Sequence, residues 1–368
     1  MRITRIALHR YRLPLVAPLN LGPQTITHRS GAIVRIDGVH DGTTGVGWGD
    51  AAPLPGFSGH SLAHALDDLK DWAASTVGQS VDRASLLCLD ADAATQCGTA
   101  RFAAESACLA ALSAATGVPL PNVLDEAPRS TVSLNALLDA DTPRRLHEAA
   151  CQMRDEGYRA VKVKVGRTSV DADVERVRAV VDALGDAVAL RLDANRAWTF
   201  DDATRFVRHI PKDTLAYLEE PLATPSSLTD WHAATGCPVA LDETAREMDA
   251  DALFDAFPFA RAVVLKPALI GVRATRHGAA RAAAHGAEVV VSSAYESGVG
   301  LQMLLALAAT LGSRDVPAGL DTYRRLHRDV LSDPLPIHGP QVDVVPLFRS
   351  VPTVNEATLE PIATVSAD

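Results

Sequence analysis

From about residue 130 onward, short apolar runs alternate with alanine- and arginine-rich stretches of helical spacing, such as 171–184 and 272–285. Short continuous apolar runs predict buried strands, whereas longer stretches with a 3.6-residue period predict helices. Repeated strand–helix units of this length predict a parallel sheet, and seven or eight of them predict a closed barrel. The predicted strands are 131–138, 159–165, 188–193, 215–219, 238–242, 262–266 and 288–293, with the weakest pattern in an eighth near 317–320.

The first third of the chain has a different pattern. Residues 3–11 alternate between apolar and polar positions, and 31–36 and 45–50 predict two further strands. A loop rich in proline and glycine follows at 53–59, and 61–117 is rich in alanine and leucine with helical spacing. We therefore predict a small α+β domain at 1–125, a barrel at 126–330, and a tail at 331–368 that packs back on the first domain.

Three carboxylates each end an apolar run in consecutive strand–helix units: Asp193, Glu219 and Asp242. A single carboxylate in such a place is more often a helix N-cap or a loop charge. Three in succession favour a divalent metal site, because the carboxyl ends of parallel barrel strands meet at one end of the barrel. Ligation by oxygen alone favours Mg²⁺ or Mn²⁺ over zinc.

Lysines flank these carboxylates along the chain. Lys162 and Lys164 alternate within one strand and so share a face. An edge strand with solvated lysines is the alternative, but predicted helices cover the outside, which leaves the barrel interior. Lys266 ends another apolar run, where an exposed loop position is equally compatible. A lysine near a metal and a second ammonium group binds its proton less tightly, as a general base requires.

Together these groups indicate a site that removes a proton next to a carboxylate. A divalent metal, three carboxylates and three protonated lysines leave a net positive charge, which predicts a small dicarboxylate substrate. Ser292 and Ser293 end the run at 289–293, where hydroxyls and N–H groups at a helix start suit a carboxylate. The alternative is that either serine only caps that helix.

Composition narrows the class of protein. The chain has 368 residues, a formal net charge of −10, a pI near 5.6 and 47% hydrophobic residues. An acidic globular chain is a poor partner for nucleic acid or anionic membranes, and we expect neither. The opening residues predict a strand rather than a signal peptide. The five cysteines are scattered without metal-site or disulfide spacing, so we expect a cytoplasmic protein with reduced thiols.

The candidate residues lie in five short motifs: Lys162-Val163-Lys164, Asp193-Ala194-Asn195, Leu218-Glu219-Glu220-Pro221, Leu241-Asp242-Glu243-Thr244 and Leu265-Lys266-Pro267. Together these motifs resemble the enolase superfamily and, within it, the muconate-lactonising subgroup. The mandelate racemase subgroup is disfavoured, because it has a histidine at the end of the seventh strand, where Ser292 and Ser293 stand. The resemblance implies an α/β fold: a (β/α)7β TIM-like barrel with an N-terminal α+β capping domain, and Mg²⁺ on the three carboxylates.

Within the subgroup, segments 47–58, 292–298 and 319–324 are most like the o-succinylbenzoate synthase family. That likeness implies Mg²⁺-dependent loss of water from a cyclohexadiene carboxylate. Lys164 would then be the base and acid, Lys162 would support the carboxylate, and Lys266 would stabilise charge from the opposite side. Ser292, Ser293, Asn195 and Phe57 would contact the substrate, with cap loops near 20–28 and 53–59 closing over it.

The sequence leaves two alternatives open. The same residues serve 1,1-proton transfer in dipeptide epimerases and N-succinylamino acid racemases, with Lys164 and Lys266 as opposed acid and base. A non-catalytic relative is the second, but such relatives usually lose a ligand or a lysine. The chain departs from the family pattern at Asp50, where Glu is usual, at Val272, where paired glycines often follow, and at Asp321, where Gly is common. The sequence leaves the oligomeric state unknown.

Overall fold

The computed structural model describes residues 1–21, 24–88, 95, 97–312 and 316–367. The strands are β1 Arg2–Leu21, β2 Gln24–His40, β3 Thr43–Ala51, β4 Thr131–Ser133, β5 Ala136–Leu138, β6 Ala160–Lys164, β7 Ala189–Asp193, β8 Leu215–Glu219, β9 Val239–Leu241, β10 Ala262–Leu265, β11 Glu288–Val291, β12 Gln341–Asp343 and β13 Glu360–Ser366. The helices are α1 Leu62–Thr76, α2 Arg83–Leu87, α3 Gly98–Thr116, α4 Leu120–Leu124, α5 Pro143–Asp155, α6 Val170–Leu184, α7 Phe200–Arg208, α8 Leu228–Thr235, α9 Glu243–Glu247, α10 Ala250–Ala256, α11 Pro267–Ile270, α12 Val272–Ala284, α13 Gly298–Thr310 and α14 Val344–Leu347.

The capping domain is built on an antiparallel sheet in the order β13-β1-β2-β3. The C-terminal strand β13 pairs with β1, so the prediction that the tail completes the cap is confirmed. Strands β1 and β2 extend far beyond the predicted 3–11 and 31–36. The prediction of a loop near 20–28 is wrong for the residues that the structure describes there. They lie in the two arms of the β1–β2 hairpin, which pair with each other. Residues 22–23 lie outside the described part of the chain.

Glycines in β3 allow helix α3 to lie directly on the sheet. A Cβ at Gly47 would lie 2.1 Å from the carbonyl oxygen of Ala107, and one at Gly49 would lie 1.9 Å from that of Ala103. No side chain fits in these gaps, so the alternate glycines set how closely the helix packs on the strand. The cap core therefore depends on backbone contact as well as on apolar side chains.

The barrel is a curled sheet of seven parallel strands in the order β11-β10-β9-β8-β7-β6-β5. Residues 317–320 lie between its two edges: Ala318 O accepts the N–H of Asn135, the residue before β5, at 2.9 Å, and the N–H of Gly319 donates to Val291 O of β11 at 2.9 Å. This short segment takes the eighth position, whose pattern is the weakest in the sequence. The predicted fold class is confirmed.

The strand predicted at 131–138 is in fact two strands. Strand β4 pairs antiparallel with β12 from the tail, and only β5 belongs to the barrel sheet. The backbone changes partner between Leu134, whose N–H donates to Pro340 O, and Asn135, whose N–H donates to Ala318 O. Both partners lie about two hundred residues away, so no local pattern could place this break. The domain boundaries at 125 and 330 stay a prediction.

One continuous apolar core joins the cap to the outside of the barrel, and a smaller cluster that includes Tyr217, Ala240 and Val264 fills another part of the barrel sheet. Buried Arg191 lies against Tyr217, with its guanidinium carbon 5.3 Å from the ring centroid. It donates to Asn135 Oδ1 at 2.9 Å and to Pro317 O at 2.7 Å, which ties the closing segment to β7. Among the described residues, no helix is both long and apolar enough to span a membrane.

Candidate active site

A cavity of ≈ 730 Å³ opens at the carboxyl ends of the barrel strands and is covered by the cap. The hairpin arm at Leu19–Leu21 and the loop residue Leu54 line it from the cap side. Eight of the ten predicted site residues line this cavity: Phe57, Lys162, Lys164, Asp193, Asn195, Lys266, Ser292 and Ser293. The other two, Glu219 and Asp242, lie behind the lysines and bind them.

The three carboxylates lie side by side at the barrel end. Asp193 and Glu219 are the last residues of β7 and β8 and are direct register partners, and Lys164 pairs in register with Asp193. Asp242 follows β9 directly. It holds the N-cap position of α9, but its side chain makes no capping hydrogen bond. All three side chains are buried, with Glu219 and Asp242 fully inaccessible. Buried carboxylates need cationic or N–H partners.

Two ammonium groups supply the charge for these carboxylates. Lys162 Nζ lies 2.8 Å from both carboxylate oxygens of Glu219 and 2.9 Å from Asp193 Oδ2. Lys266 Nζ contacts Asp242 Oδ2 from the other side. Lys164 is less tightly paired, because its Nζ donates to Asn195 Oδ1 at 2.8 Å and lies 3.8 Å from Asp193.

These contacts separate the pKa values of the three lysines. Burial lowers the proton affinity of each, but Asp193 and Glu219 outweigh it and raise the pKa of Lys162 well above its usual range. At Lys266, Asp242 and Glu219 together outweigh burial and raise the pKa of Lys266. At Lys164, burial outweighs Asp193, and neighbouring Lys162 adds to it, so the pKa of Lys164 is lowered. The lysine predicted to be the base thus has the lowered pKa.

The pKa values of Asp193 and Glu219 shift in opposite directions. Burial disfavours the charged form of Asp193, but Lys162 and Lys164 outweigh it and hold the pKa of Asp193 well below its usual range. Burial, and then the charge of Asp193, raises the pKa of Glu219 to about 8. Repulsion among the buried carboxylates therefore persists although lysines are present.

This donor set fits a divalent cation. The three side chains offer only oxygen, which Mg²⁺ and Mn²⁺ prefer. A cation between them would offset the charge of Asp193, which adds to burial in raising the pKa of Glu219. In the part of the chain that the structure describes, no three carboxylate, histidine or cysteine side chains are already spaced as metal ligands. Lys162 and Lys266 bind the carboxylates instead, and both also line the cavity.

The interpretation of the serine pair needs correction. Helix α13 begins at Gly298 with Ser297 as its N-cap, so neither serine is at a helix start or caps one. Asp50 Oδ2 accepts the Ser297 N–H at 2.8 Å, so a carboxylate of the cap domain already lies at this helix start. Ser293 Oγ lies 3.0 Å from Gly319 O and 2.7 Å from Thr322 Oγ1. The two serines line the cavity, and their contact with substrate stays a prediction.

Two buried residues of the site, Glu220 and Arg29, are not among the residues predicted from the sequence. Glu220 accepts the backbone N–H of Asp242 at 3.0 Å and of Thr244 at 2.7 Å, and it pairs with Arg196 at 2.9 Å. It therefore orders the backbone that carries Asp242. The sequence does contain one indication of this role, the adjacent pair Glu219-Glu220. A second carboxylate directly after a buried strand also needs hydrogen-bond or cationic partners, so the pair predicts a structural role for one of them.

Arg29 has no comparable sequence signal. It is buried in β2 and donates to the carbonyl oxygens of Pro53 at 2.7 Å and Ala294 at 3.1 Å, and it also contacts that of Ala52. It thus ties the cap loop at 53–59 to the end of the seventh barrel strand. These acceptors are backbone atoms, about which residue type predicts nothing.

The described part of the chain matches known protein families along most of its length. Residues 145–347 match the family described as "Enolase C-terminal domain-like". The chain belongs to the enolase superfamily. In this superfamily member, residues 3–88 match the family described as "MenC, N-terminal domain". The match covers strands β1 to β3 and helices α1 and α2 of the cap. The resemblance seen in the sequence motifs is thereby confirmed.

Several of its curated relatives are o-succinylbenzoate synthases. The one from Klebsiella pneumoniae (strain 342) is 31% identical over 368 residues, covering 98% of this chain and 100% of that protein. The one from Pectobacterium atrosepticum is 33% identical over 336 residues, covering 89% and 93%. The one from Thermobifida fusca is 39% identical over 242 residues, covering 64% and 73%. Relatives of this kind identify an enzyme, a carbon–oxygen lyase.

Solved structures agree in fold. A dipeptide epimerase from Cytophaga hutchinsonii, complexed with Mg and a dipeptide, superposes with a TM-score of 0.81 at 23% identity, covering 100% of each chain. An enolase superfamily member from Roseovarius nubinhibens, complexed with magnesium, gives 0.82 at 21% identity, covering 100% of each chain. At these identities the likeness establishes the shared fold alone.

Proposed function

We propose that this enzyme catalyses the Mg²⁺-dependent dehydration of 2-succinyl-6-hydroxy-2,4-cyclohexadiene-1-carboxylate to o-succinylbenzoate, a reaction of menaquinone or phylloquinone biosynthesis. The observation that carries the proposal is one cavity lined by lysines from opposite sides of the barrel, over three buried carboxylates. The similarity to o-succinylbenzoate synthases along nearly the whole chain supports the choice of reaction.

Asp193, Glu219 and Asp242 would hold the metal, with Mn²⁺ able to replace Mg²⁺. When bound, the metal supplies positive charge that offsets the negative charge developing on the substrate carboxylate. Lys162, which lines the cavity between Asp193 and Glu219, would turn toward that carboxylate. Its ammonium group would add a hydrogen bond and positive charge there.

Lys164 would take the proton from the carbon next to the carboxylate, because the lowered pKa of Lys164 favours the free amine. The same ammonium group then returns the proton to the departing hydroxyl, so that water leaves and the ring becomes aromatic. Lys266 lies four strands away across the barrel and stays protonated beside Asp242. It would stabilise the negative charge from the opposite face of the ring, including through a cation–π contact.

The remaining predicted contacts would position the two ends of the substrate. Ser292 and Ser293 offer hydroxyls on the wall formed by the seventh strand, and Asn195 holds Lys164 at the opposite wall. Phe57 belongs to an apolar cluster with Leu54 and Ala294 at the mouth, which would exclude water over the ring. Within this proposal the enzyme acts in the cytoplasm on a small dicarboxylate, and its cysteines stay reduced as the free thiols they are in the structure.

A second candidate is 1,1-proton transfer, which the placement of Lys164 and Lys266 on opposite sides of the cavity also permits. A dipeptide substrate has a free ammonium group, which would need a carboxylate partner near the closing segment. The contacts of Asp321 count against such a partner there. Asp321 Oδ2 accepts the Leu137 N–H at 3.0 Å and an Arg324 N–H at 2.6 Å, so its carboxylate already has cationic and N–H partners. Asp321 therefore serves to join the closing segment to β5.

Turnover followed by ultraviolet absorbance, with Mg²⁺ and then with EDTA, tests the proposal. Fast conversion to o-succinylbenzoate that stops with the chelator and resumes on adding Mg²⁺ is the expected result. No conversion by folded, Mg²⁺-loaded enzyme contradicts the proposal. Deuterium incorporation into dipeptides or N-succinylamino acids in D₂O would then support the second candidate.

A further inference from the structure

The cap loop at 53–59 is a compact turn that brings Phe57 over the cavity. The N–H groups of Phe57 and Ser58 both donate to Leu54 O, at 3.0 and 2.8 Å, and Ser58 Oγ accepts the Leu54 N–H at 2.8 Å. These bonds make the turn internally rigid. Its position relative to the barrel must therefore come from contacts outside the turn.

Arg246 provides one such contact from the barrel side. It lies on the short helix α9, which follows Asp242 directly, and its side chain is 16% exposed. Its Nη1 donates to Phe57 O at 3.2 Å, while its Nε lies 3.3 Å from Asp242 Oδ1. One rigid guanidinium thus contacts both the cap loop and a carboxylate of the site.

The two oxygens of Asp242 have different partners. Oδ1 faces Arg246, and Oδ2 contacts Lys266, which lines the cavity. Because the side chain is fully buried, no water replaces either partner. Arg246 therefore fixes the rotation of the carboxylate about its Cβ–Cγ bond and leaves Oδ2 directed toward the interior of the site.

We propose that Arg246 is a positioning residue that couples the placement of the Phe57 loop to the orientation of the Asp242 carboxylate. The inference rests on the proposed function, in which Asp242 holds the metal. When the loop binds Arg246 through Phe57 O, the guanidinium is held in the position from which it orients Asp242. In turn, when Asp242 is oriented for the metal, its Oδ1 holds the guanidinium in the position from which it binds the loop. Coupling between two sites is reciprocal, so metal binding should also slow opening of the loop.

The test compares Arg246→Met, which keeps an unbranched stem without donors, with Arg246→Lys and with Arg273→Met. Arg273 is the matched control, because its Nε bonds Glu105 Oε1 at 2.6 Å across another part of the cap–barrel contact, away from the cavity lining. Mn²⁺ affinity is measured by electron paramagnetic resonance without substrate. Amide hydrogen exchange of residues 53–59 is measured with and without Mg²⁺, and kcat and KM are determined separately.

In Arg246→Met we expect Mn²⁺ affinity to fall by about 10-fold, the usual effect of removing a group that orients a metal ligand. Exchange at 53–59 should become faster and lose its response to Mg²⁺, and KM should rise more than kcat falls. One ammonium group serves one acceptor well, so Arg246→Lys should restore Mn²⁺ affinity and leave exchange fast. Arg273→Met should lower only the Tm.

Two results would overturn the coupling alone while the wild-type chain binds Mn²⁺ and turns over substrate. One is unchanged Mn²⁺ affinity in Arg246→Met, and the other is exchange at 53–59 that responds to Mg²⁺ as in the wild type. If the wild-type chain itself binds no Mn²⁺, the proposed metal site is wrong and the coupling is wrong with it.

Discussion

Lys164 Nζ donates a hydrogen bond of 2.8 Å to Oδ1 of Asn195, on the loop that follows the neighbouring strand. Asn195 has a positive φ of 44°, a left-handed conformation that Asn adopts more readily than most residues. Its Nδ2 lies 3.4 Å from Glu243 Oε1, so both ends of the amide have partners. The residue predicted to contact substrate thus also holds the predicted base in place.

Replacing Lys164 with Ala should abolish turnover without unfolding the chain. General acid–base catalysis contributes about 10²–10⁴-fold, and one group acting as both base and acid should be at the upper end. Steady-state turnover by absorbance and the Tm together test this. Lys70→Ala, on the exposed face of α1, is the control and should keep full activity. Substantial activity in Lys164→Ala would exclude it as the base.

Replacing Glu219 with Gln should weaken metal binding by at least about 10-fold, because even residues that only orient a ligand have effects of that size. The amide keeps the shape of the side chain but removes its charge, and Lys162 loses its closest partner. Mn²⁺ titration of the folded variant measures the effect, with exposed Glu175→Gln as the control. Equal affinity in both variants would remove Glu219 from the ligand set.

The free energy of unfolding should fall as pH rises from about 4 to about 7, in part through a pair of buried acids behind the seventh strand. Burial raises the pKa of Asp50 from 3.8 to about 6 and that of Glu296 from 4.5 to about 7. In this window the folded chain keeps protons that the unfolded chain releases, so rising pH favours unfolding. For Glu296 the loss is at most about 3 kcal/mol.

Urea unfolding at pH 5 and pH 8 measures this loss. In Glu296→Gln, which has no proton to release, the difference between the two pH values should shrink. Exposed Glu126→Gln is the control and should keep the wild-type difference. A variant that loses stability as steeply as the wild type would place the titrating group elsewhere.

Adding one methyl group between β3 and α3 should lower the stability of the fold and leave the active site intact. The Cβ of Gly49→Ala would lie 1.9 Å from the Ala103 carbonyl oxygen, so α3 must move away from β3. Overpacking of this kind costs typically 1–3 kcal/mol. Gly42→Ala is a control for added volume, since nothing lies within 4 Å of its Cβ, although its φ of +81° adds backbone strain. Thermal unfolding of both variants gives the comparison, and equal Tm values would contradict the packing argument.

The sequence alone predicted most of the barrel because burial has a local period. Each strand from β6 to β11 lies within its predicted range, and apolar runs that end in Asp193 and Glu219 place both carboxylates at the same level of the sheet. Alternation also placed Lys162 and Lys164 on one face, and both line the cavity. These features depend only on which face of a strand is buried.

The predictions that failed concern partners far away in the chain. The strand at 131–138 is divided because Pro340 and Ala318 bind adjacent N–H groups. The start of α13 is occupied by Asp50, which lies 247 residues before Ser297. The hairpin near 20–28 is the exception, because its arms are strands that pair with each other over a short separation, as Leu19 does with Ile26 and Leu21 with Gln24.

The sequence by itself determined the fold class and the strand ends where charged residues lie. Only the tertiary structure decided how those charges are paired: Lys162 between Asp193 and Glu219, Lys266 against Asp242, and Arg246 between Asp242 and the cap loop. The physical reason is that periodicity encodes burial, which is a property of one segment. A hydrogen-bond partner depends on closing the barrel and seating the cap, and those steps join residues that are distant in the chain.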